Sequence, residues 1–308
     1  MSNNLCANCG KADDDDDIKL KTCVACKMIQ YCGKEYQVSH WPAHKKECKQ
    51  RAAEIYDEKL FADPPPREEC PICFITLPRM GVMWHNCCGK NICDGCMLQS
   101  QDMGNSDKCA FCRADSGTTE IQDLVRLEKR MRVNNDPEAF NTMGCHYEFG
   151  FLNLIPQDYT KARENWSKAA SLGSILAHRN IGYLYYEGTG VEKNLKKAIY
   201  HFEQAAMGGH EVCRHNLGVE EEKRGNLRTR AIKHYILAAK GGYEDALIQV
   251  HRGYINGYAT KDEFESARRA YQKSIEEVKT EWRDKAEVVR AQEKVYYASM
   301  NTFASRTG

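Results

Sequence analysis

Cysteine is concentrated in the first part of this chain of 308 residues. Of its 16 cysteines, 14 lie between Cys6 and Cys112, and most of these come in closely spaced pairs. The opening residues, MSNNLCANCG, contain no apolar run that could act as a signal peptide, so we expect an intracellular protein of the cytoplasm or nucleus. Thiols stay reduced in those compartments, and paired cysteines there are expected to bind metal rather than to form disulfides.

Charge and hydropathy argue against two further classes of partner. The formal net charge is +1 and the basic residues form no cluster, which argues against nucleic acid. No segment approaches the ~20 consecutive apolar residues that a membrane-spanning helix needs, so we predict no membrane partner. The two remaining cysteines, Cys145 and Cys213, stand alone and are predicted to be small buried side chains rather than nucleophiles.

Composition divides the chain into six segments. From the N-terminus they are a zinc module (1–49), a charged linker (50–69), a second zinc module (70–115), a linking helix (116–135), about four helical repeats (136–279) and a capping helix with a tail (280–308). We therefore predict a multidomain protein in which two small zinc-stabilised α+β modules are followed by an all-α repeat solenoid.

The first block carries seven candidate zinc ligands, six cysteines and one histidine. Two cysteines three positions apart present both sulfurs at one tight turn, which suits a tetrahedral zinc site. A block of about 50 residues is too small for a self-sufficient apolar core, so metal must supply much of its folding free energy. The candidate ligands are Cys6, Cys9, Cys23, Cys26, Cys32, His44 and Cys48.

The end of this block, YCGKEYQVSHWPAHKKEC, resembles the MYND zinc finger, and the resemblance covers residues 6–48. It implies two interleaved zinc sites. One would use Cys23, Cys26, His44 and Cys48. The other would use Cys6, Cys9, Cys32 and a further cysteine four residues after Cys32.

Tyr36 occupies the position of that further cysteine, which leaves the site of Cys6, Cys9 and Cys32 with three thiolates. Water, a nearby side chain or His40 would have to complete it, so we predict that this site binds zinc more weakly than the other. The resemblance also implies docking of proline-containing peptides near Gln37 and Trp41, although Trp41 could instead pack in the core.

The second block carries eight cysteines, the number that two tetrahedral zinc ions need. Their order resembles a RING finger of the eight-cysteine class. The resemblance implies one site from Cys70, Cys73, Cys93 and Cys96, and another from Cys87, Cys88, Cys109 and Cys112. Adjacent ligands are uncommon, so His85 is an alternative to Cys87 or Cys88. With the first block, we expect three to four structural zinc ions.

The RING resemblance implies a surface for a ubiquitin-conjugating enzyme. Ile72, between the first two cysteines, matches the apolar residue that packs on such an enzyme. Arg113, directly after Cys112, matches a cation that holds ubiquitin against it. Ala110 departs from the proline that is usual between the last two cysteines.

Two function classes therefore stay open, and with them whether the chain is an enzyme. One is a RING-type ubiquitin-protein ligase whose partners are a conjugating enzyme, ubiquitin and protein substrates. The other is a non-enzymatic adaptor with structural zinc fingers. A nucleic-acid-associated regulator is a third, which the charge disfavours.

The rest of the chain repeats itself. Gly144, Gly182, Gly218 and Gly253 recur 38, 36 and 35 residues apart, each followed by small residues around an aromatic side chain in the first three copies. This pattern resembles the Sel-1-like repeat, a relative of the tetratricopeptide repeat. The resemblance implies helical hairpins stacked into a solenoid that binds proteins on its concave surface. We expect the aromatic side chain to fill the gap to the next hairpin, and the final helix to cap the stack.

Overall fold

The computed structural model describes residues 6–9, 19–115, 119–151, 154–225 and 228–304. The chain forms two compact units, Met1–Ala62 and Asp63–Gly308. The predicted fold class is confirmed, since cysteine-rich modules with few strands precede a helical repeat solenoid. Among the described helices, none combines the length and the apolar character needed to cross a membrane.

The first unit is a short antiparallel strand pair followed by one long helix. Strands β1 (Lys21–Thr22) and β2 (Gln30–Tyr31) pair with Lys21 opposite Tyr31, and helix α1 spans Lys34–Leu60. Only three side chains of α1 are buried, and two of them are zinc-ligand candidates. The apolar cluster of this unit consists of three cysteines and Tyr31, with Ile29 beside them. Metal binding therefore has to replace the missing apolar core.

Helix α1 continues well beyond the first zinc module. It ends at Leu60, whereas the sequence predicted that the module ends at residue 49 and a linker begins. The first part of the predicted linker is therefore helical. Only from Asp63, where the second unit begins, does the chain run without regular structure into the prolines 64–66.

The second unit begins with the second zinc module. Its hairpin pairs β3 (Val82–His85) with β4 (Lys90–Cys93), and α2 (Asp94–Asp102) follows. Helix α3 (Glu120–Lys129) starts at a capping box formed by Thr119 and Gln122, then passes into a π-helical turn, Arg130–Asn134. Strand residue Trp84 packs on a cluster that joins α3 to the first repeat helix.

Eight helices form four hairpins. Side chains of aspartate, serine, asparagine, histidine or threonine cap most of them at the N-terminus, as the sequence composition of the turns favours. The hairpins are α4 (Pro137–Phe149) with α5 (Tyr159–Ser171), α6 (Ile175–Glu187) with α7 (Leu195–Met207), α8 (Glu211–Lys223) with α9 (Arg228–Lys240), and α10 (Glu244–Ile255) with α11 (Lys261–Glu276).

The aromatic side chains of the repeats pack inside their own hairpins. A Cβ atom added at Gly144 in α4 would lie 2.4 Å from the Trp166 indole in α5, and one at Gly182 in α6 would lie 2.5 Å from Phe202 in α7. Each ring also shares an apolar cluster with the first helix of the next hairpin, as Trp166 does with Ile181 of α6, so the expectation that the aromatic side chain fills the gap to that hairpin agrees with the structure. Glycine is needed in the first helix because the ring of the second helix occupies the space of a side chain.

The last helix packs somewhere other than predicted. Helix α12 (Glu281–Ala304) lies against α2 of the second zinc module, and its Arg290 forms an ion pair of 2.7 Å with Asp94. We expected this helix to cap the repeat stack. The two ends of the repeat region are thus both attached to the zinc module, through α3 at one end and α12 at the other.

Candidate metal centres

In the part of the chain that the structure describes, fifteen cysteine and histidine side chains form four groups of potential metal ligands. Within each group the ligand atoms lie within 4.8 Å of one another, and all sixteen cysteines are free of disulfides. A tetrahedral zinc ion with bonds of about 2.3 Å to sulfur separates two ligand sulfurs by about 3.8 Å. The groups are Cys23, Cys26, His44 and Cys48; Cys70, Cys73, Cys93 and Cys96; Cys87, Cys88, Cys109 and Cys112; and Cys6, Cys9 and Cys32.

The group around His44 fits zinc closely. All four ligands are buried, the sulfurs of Cys23 and Cys48 are 3.7 Å apart, and Nε2 of His44 lies 3.3 Å from the sulfur of Cys26. The turn that holds Cys23 and Cys26 closes with a hydrogen bond from the Lys27 amide to the Cys23 carbonyl. Helix α1 supplies the other two ligands, one turn apart, from one face.

The group of Cys6, Cys9 and Cys32 contains three ligands. The sulfur of Cys32 lies 3.4 Å from that of Cys9 and 3.5 Å from that of Cys6. His40 is not in the group: its Nδ1 pairs with the Tyr31 hydroxyl at 2.9 Å, and its ring stacks on His44. Among the described residues, no fourth cysteine, histidine or carboxylate joins these three.

The eight cysteines of the second module form two groups that alternate along the chain. The first and third pairs come together, with 3.8 Å between the sulfurs of Cys70 and Cys96 and 3.9 Å between those of Cys73 and Cys93. The second and fourth pairs form the other group. This alternation is consistent with a RING-like zinc finger.

Both adjacent cysteines, Cys87 and Cys88, lie in that other group, and His85 lies outside it. Nε2 of His85 instead contacts the sulfur of Met97 at 3.2 Å. The chain can turn tightly enough for two adjacent ligands because the Gly89 amide donates to the His85 carbonyl at 2.7 Å, and Gly89 takes the left-handed conformation that this turn requires.

Backbone amides prepare some of these thiols for metal binding. Burial disfavours the thiolate of Cys6, but the amides of Cys32, Cys9 and Asn8 outweigh it and lower the pKa of Cys6 to about 6. In the same group, burial and the neighbouring thiols instead raise the pKa of Cys32 to about 11. The thiols of one group therefore cannot all ionise without a cation among them, and zinc supplies that charge.

The four predicted partner-binding residues lie at the periphery of their modules. Arg113 is exposed and follows the last ligand in a left-handed conformation, while Ile72 is half-buried against the module's apolar cluster. On α1, Gln37 and Trp41 stand one turn apart, and Trp41 is 39% exposed with its ring edge toward His44. The alternative that Trp41 belongs to a buried core does not agree with this exposure.

Sequence reasoning missed two arginines that attach the second zinc module to the helices. Arg283 of α12 is buried, and its guanidinium donates to the carbonyls of Thr76 and Ile75 at 2.7 and 3.2 Å and to the sulfur of Cys73 at 3.4 Å. Arg130, at the other end, pairs with Asp136 at 2.7 Å and lies against Gly89. The only sign of these arginines in the sequence is a positive charge within a helical segment, and such a charge does not specify a contact with the zinc module.

Replacing Arg283 by leucine is expected to lower the free energy of unfolding of the second unit by about 2–4 kcal/mol, because carbonyls of the zinc module lose a buried charged donor. The half-exposed Arg290 provides the control, since Arg290→Met removes one partly solvated ion pair and should cost about 1 kcal/mol or less. Urea denaturation of both variants measures the difference. Equal losses would mean that Arg283 has no special role.

Two families match separate parts of the chain. The MYND finger matches residues 6–48, and the Sel1 repeat matches residues 141–174, 175–210 and 216–243. The chain carries a MYND finger and Sel1 repeats. The site around His44 is thus the complete site of the MYND finger, and the site of Cys6, Cys9 and Cys32 is the one that departs. The fourth hairpin, α10 with α11, lies beyond the matched Sel1 segments.

Curated relatives match shorter stretches. The chain is 35% identical over 65 residues to the E3 ubiquitin-protein ligase GW2 of Oryza sativa subsp. indica, and 41% identical over 59 residues to HRD3B of Arabidopsis thaliana, an ERAD-associated E3 ubiquitin-protein ligase component. These matches cover 20% and 19% of this chain. The chain spans only 15% and 10% of the length of those two relatives.

Other similarities concern single modules. A SET domain and MYND-type zinc finger protein of Schizosaccharomyces pombe is 44% identical over 48 residues, which is 16% of this chain and 10% of the relative. Among solved structures, a Sel1 repeat protein from Oxalobacter formigenes is 27% identical and covers 42% of this chain and 98% of its own, with a TM-score of 0.40.

Proposed function

We propose that the chain is a RING-type ubiquitin-protein ligase of the cytoplasm or nucleus. The observation that carries the proposal is the alternation of the two four-cysteine groups. In the sequence, Ile72 stands between the first two ligands and Arg113 directly follows the last. Two relatives named as a ubiquitin ligase and as a ligase component support it. The MYND finger and Sel1 repeats would then hold protein partners.

Such a ligase works by positioning. The two zinc sites of the second module are structural and closed by four cysteines each, so no side chain of that module would make or break bonds. Ile72 would offer an apolar contact to the conjugating enzyme. The Arg113 guanidinium would donate forked hydrogen bonds to carbonyls of both enzyme and ubiquitin, which a lysine could not do.

Side-chain contacts also attach the second zinc module and the segment before it to the repeats. Arg79, next to the hairpin of the zinc module, stacks on Tyr243 at the start of α10, and Asp63 pairs with Lys240 at the end of α9. A substrate bound by the repeats would therefore be held at a defined distance from the conjugating enzyme. This pre-organisation favours transfer to lysines within a limited zone.

The alternative function is a non-enzymatic adaptor, and one contact favours it. Helix α2, which directly follows a ligand of the first group, is covered along one side by α12, where Gly95 touches the backbone of Arg283. Only the side of α2 that α12 leaves uncovered would then be available to a conjugating enzyme. Ala110 in place of the usual proline points the same way.

In an autoubiquitination assay with a panel of conjugating enzymes, we expect the wild-type chain to form ubiquitin chains and Ile72→Ala and Arg113→Ala to lose at least tenfold in rate. Matched controls are Ile121→Ala and Arg132→Ala, which remove exposed side chains of the same types outside the zinc module. Failure of the zinc-loaded wild type with every enzyme would favour the adaptor.

For the MYND finger, Trp41→Ala is expected to weaken binding of a proline-rich peptide at least tenfold, since an exposed indole next to a rigid zinc site offers a large apolar contact. Val38→Ala, also exposed on α1, is the control. Fluorescence anisotropy with a labelled peptide library measures both. Equal affinity of the two variants would remove Trp41 from the proposed surface.

A further inference from the structure

The group of Cys6, Cys9 and Cys32 differs from the other three groups in the number of its ligands, and from the group around His44 in their exposure. Among the residues that the structure describes, it has three ligands where each other group has four. Cys9 is exposed and Cys32 is half-buried, whereas all four ligands around His44 are buried. A small molecule in solution can therefore reach sulfurs of this group, but not those of its neighbour in the same unit.

The chain has no further thiol or imidazole to complete this group. Every cysteine and histidine of the sequence lies in the described residues, and residues 1–5 and 10–18 contain neither type. His40 has turned its Nδ1 to Tyr31, and Tyr36 is 39% exposed and outside the group. The ligand types that remain are a carboxylate, water or a molecule from solution.

Structural zinc sites in proteins are almost always closed by four nitrogen or sulfur ligands. A zinc ion held by three thiolates is soft and lacks one such ligand, which favours another sulfur over an oxygen. Reducing compartments contain small monothiols at high concentration, since glutathione keeps protein thiols reduced there. An abundant small thiol such as glutathione can therefore supply the sulfur that the three-thiolate site lacks.

We propose that the metal ion held by Cys6, Cys9 and Cys32 keeps an exchangeable fourth position that a small monothiol occupies. The thiol loses its proton to solvent on binding and replaces a water molecule, and no oxidation is involved. This site then responds to the concentration of free thiol and of free zinc, while the other three sites stay closed. The proposal does not depend on ligase activity.

The first step of the test prepares a protein with one site emptied. Titration of the full zinc-loaded chain with a chelator should release one zinc ion at a chelator concentration at least tenfold lower than the other three. Cobalt(II) is then added to refill the emptied site, because its absorption spectrum reports the number of sulfur ligands. Release of all the zinc in one step would overturn the proposal.

The second step adds glutathione to the cobalt-loaded protein. The intensity of the sulfur-to-cobalt absorption band is expected to rise and saturate, as a fourth sulfur binds. An unchanged spectrum would show that water or a carboxylate of the chain holds the position and would overturn the proposal. Methylated glutathione, which lacks the thiol, should leave the spectrum unchanged.

Tyr36→Cys tests the same position from within the chain. This variant should bind zinc at least tenfold more tightly than the wild type and should no longer respond to glutathione, because its own thiol supplies the fourth sulfur. Tyr36→Phe is the matched control and should behave like the wild type. A Tyr36→Cys protein whose spectrum still responds fully to glutathione would contradict the assignment.

Discussion

Removal of zinc is expected to unfold both zinc modules while the repeat helices stay folded. The first unit buries little besides its ligands and Tyr31, so zinc binding, on the order of 10–16 kcal/mol per structural site, supplies most of its folding free energy. The repeats have apolar clusters of their own, centred on Trp166, Phe202 and Tyr235. Hydrogen exchange with and without a strong chelator measures the difference segment by segment.

The expected pattern is loss of protection in residues 19–60 and 70–112 and retained protection in α5–α9. Cys145→Ser is the matched control, because Cys145 lies in a repeat helix outside every ligand group. Its zinc content and its response to the chelator should equal those of the wild type. Retained protection throughout after zinc removal would mean that the modules are held by something other than metal.

Truncation of Trp166 to alanine is expected to cost about 3–5 kcal/mol of unfolding free energy in the repeats. Its side chain is fully buried, packs against Gly144, and donates from Nε1 to the carbonyl of Asn141 at 3.2 Å. The mutation removes this contact and leaves a cavity at the centre of the first hairpin. Urea denaturation followed by circular dichroism at 222 nm measures the loss, because helices of the repeats dominate that signal.

Tyr200→Ala is the control for this prediction. Tyr200 is an aromatic residue of the repeats with half of its side chain exposed, so its truncation should change stability by about 0.5 kcal/mol or less. A loss for Trp166→Ala no larger than that of Tyr200→Ala would contradict the packing of the hairpins described above.

Short-range spacing made much of this molecule predictable. Cysteine pairs three apart define their own turns, and the glycine period of 38, 36 and 35 residues defines the hairpins. The MYND finger, the Sel1 repeats and the zinc cofactor are accordingly confirmed. The period also leaves room for turns of different length: α9 begins at Arg228 after α8 ends at Lys223, whereas α7 begins at Leu195 after α6 ends at Glu187.

Contacts between distant segments could not be predicted in this way. Arg283 meets Thr76 across 207 positions of sequence, and nothing near either residue specifies the other. The same holds for α12, whose amphipathic pattern shows that it must pack on something but does not identify α2. The use of Cys87 and Cys88 together depends on the turn at Gly89, which spacing left open against His85.

The roles proposed for Ile72, Arg113 and Trp41 depend on four metal sites, because each of these residues lies next to ligands of one of them. Native mass spectrometry of the full chain in excess zinc tests this claim. The predicted result is four zinc ions bound to a chain without disulfides, falling to three under mild chelation. Two ions or fewer, or a mass that shows the cysteines joined as disulfides, would contradict it.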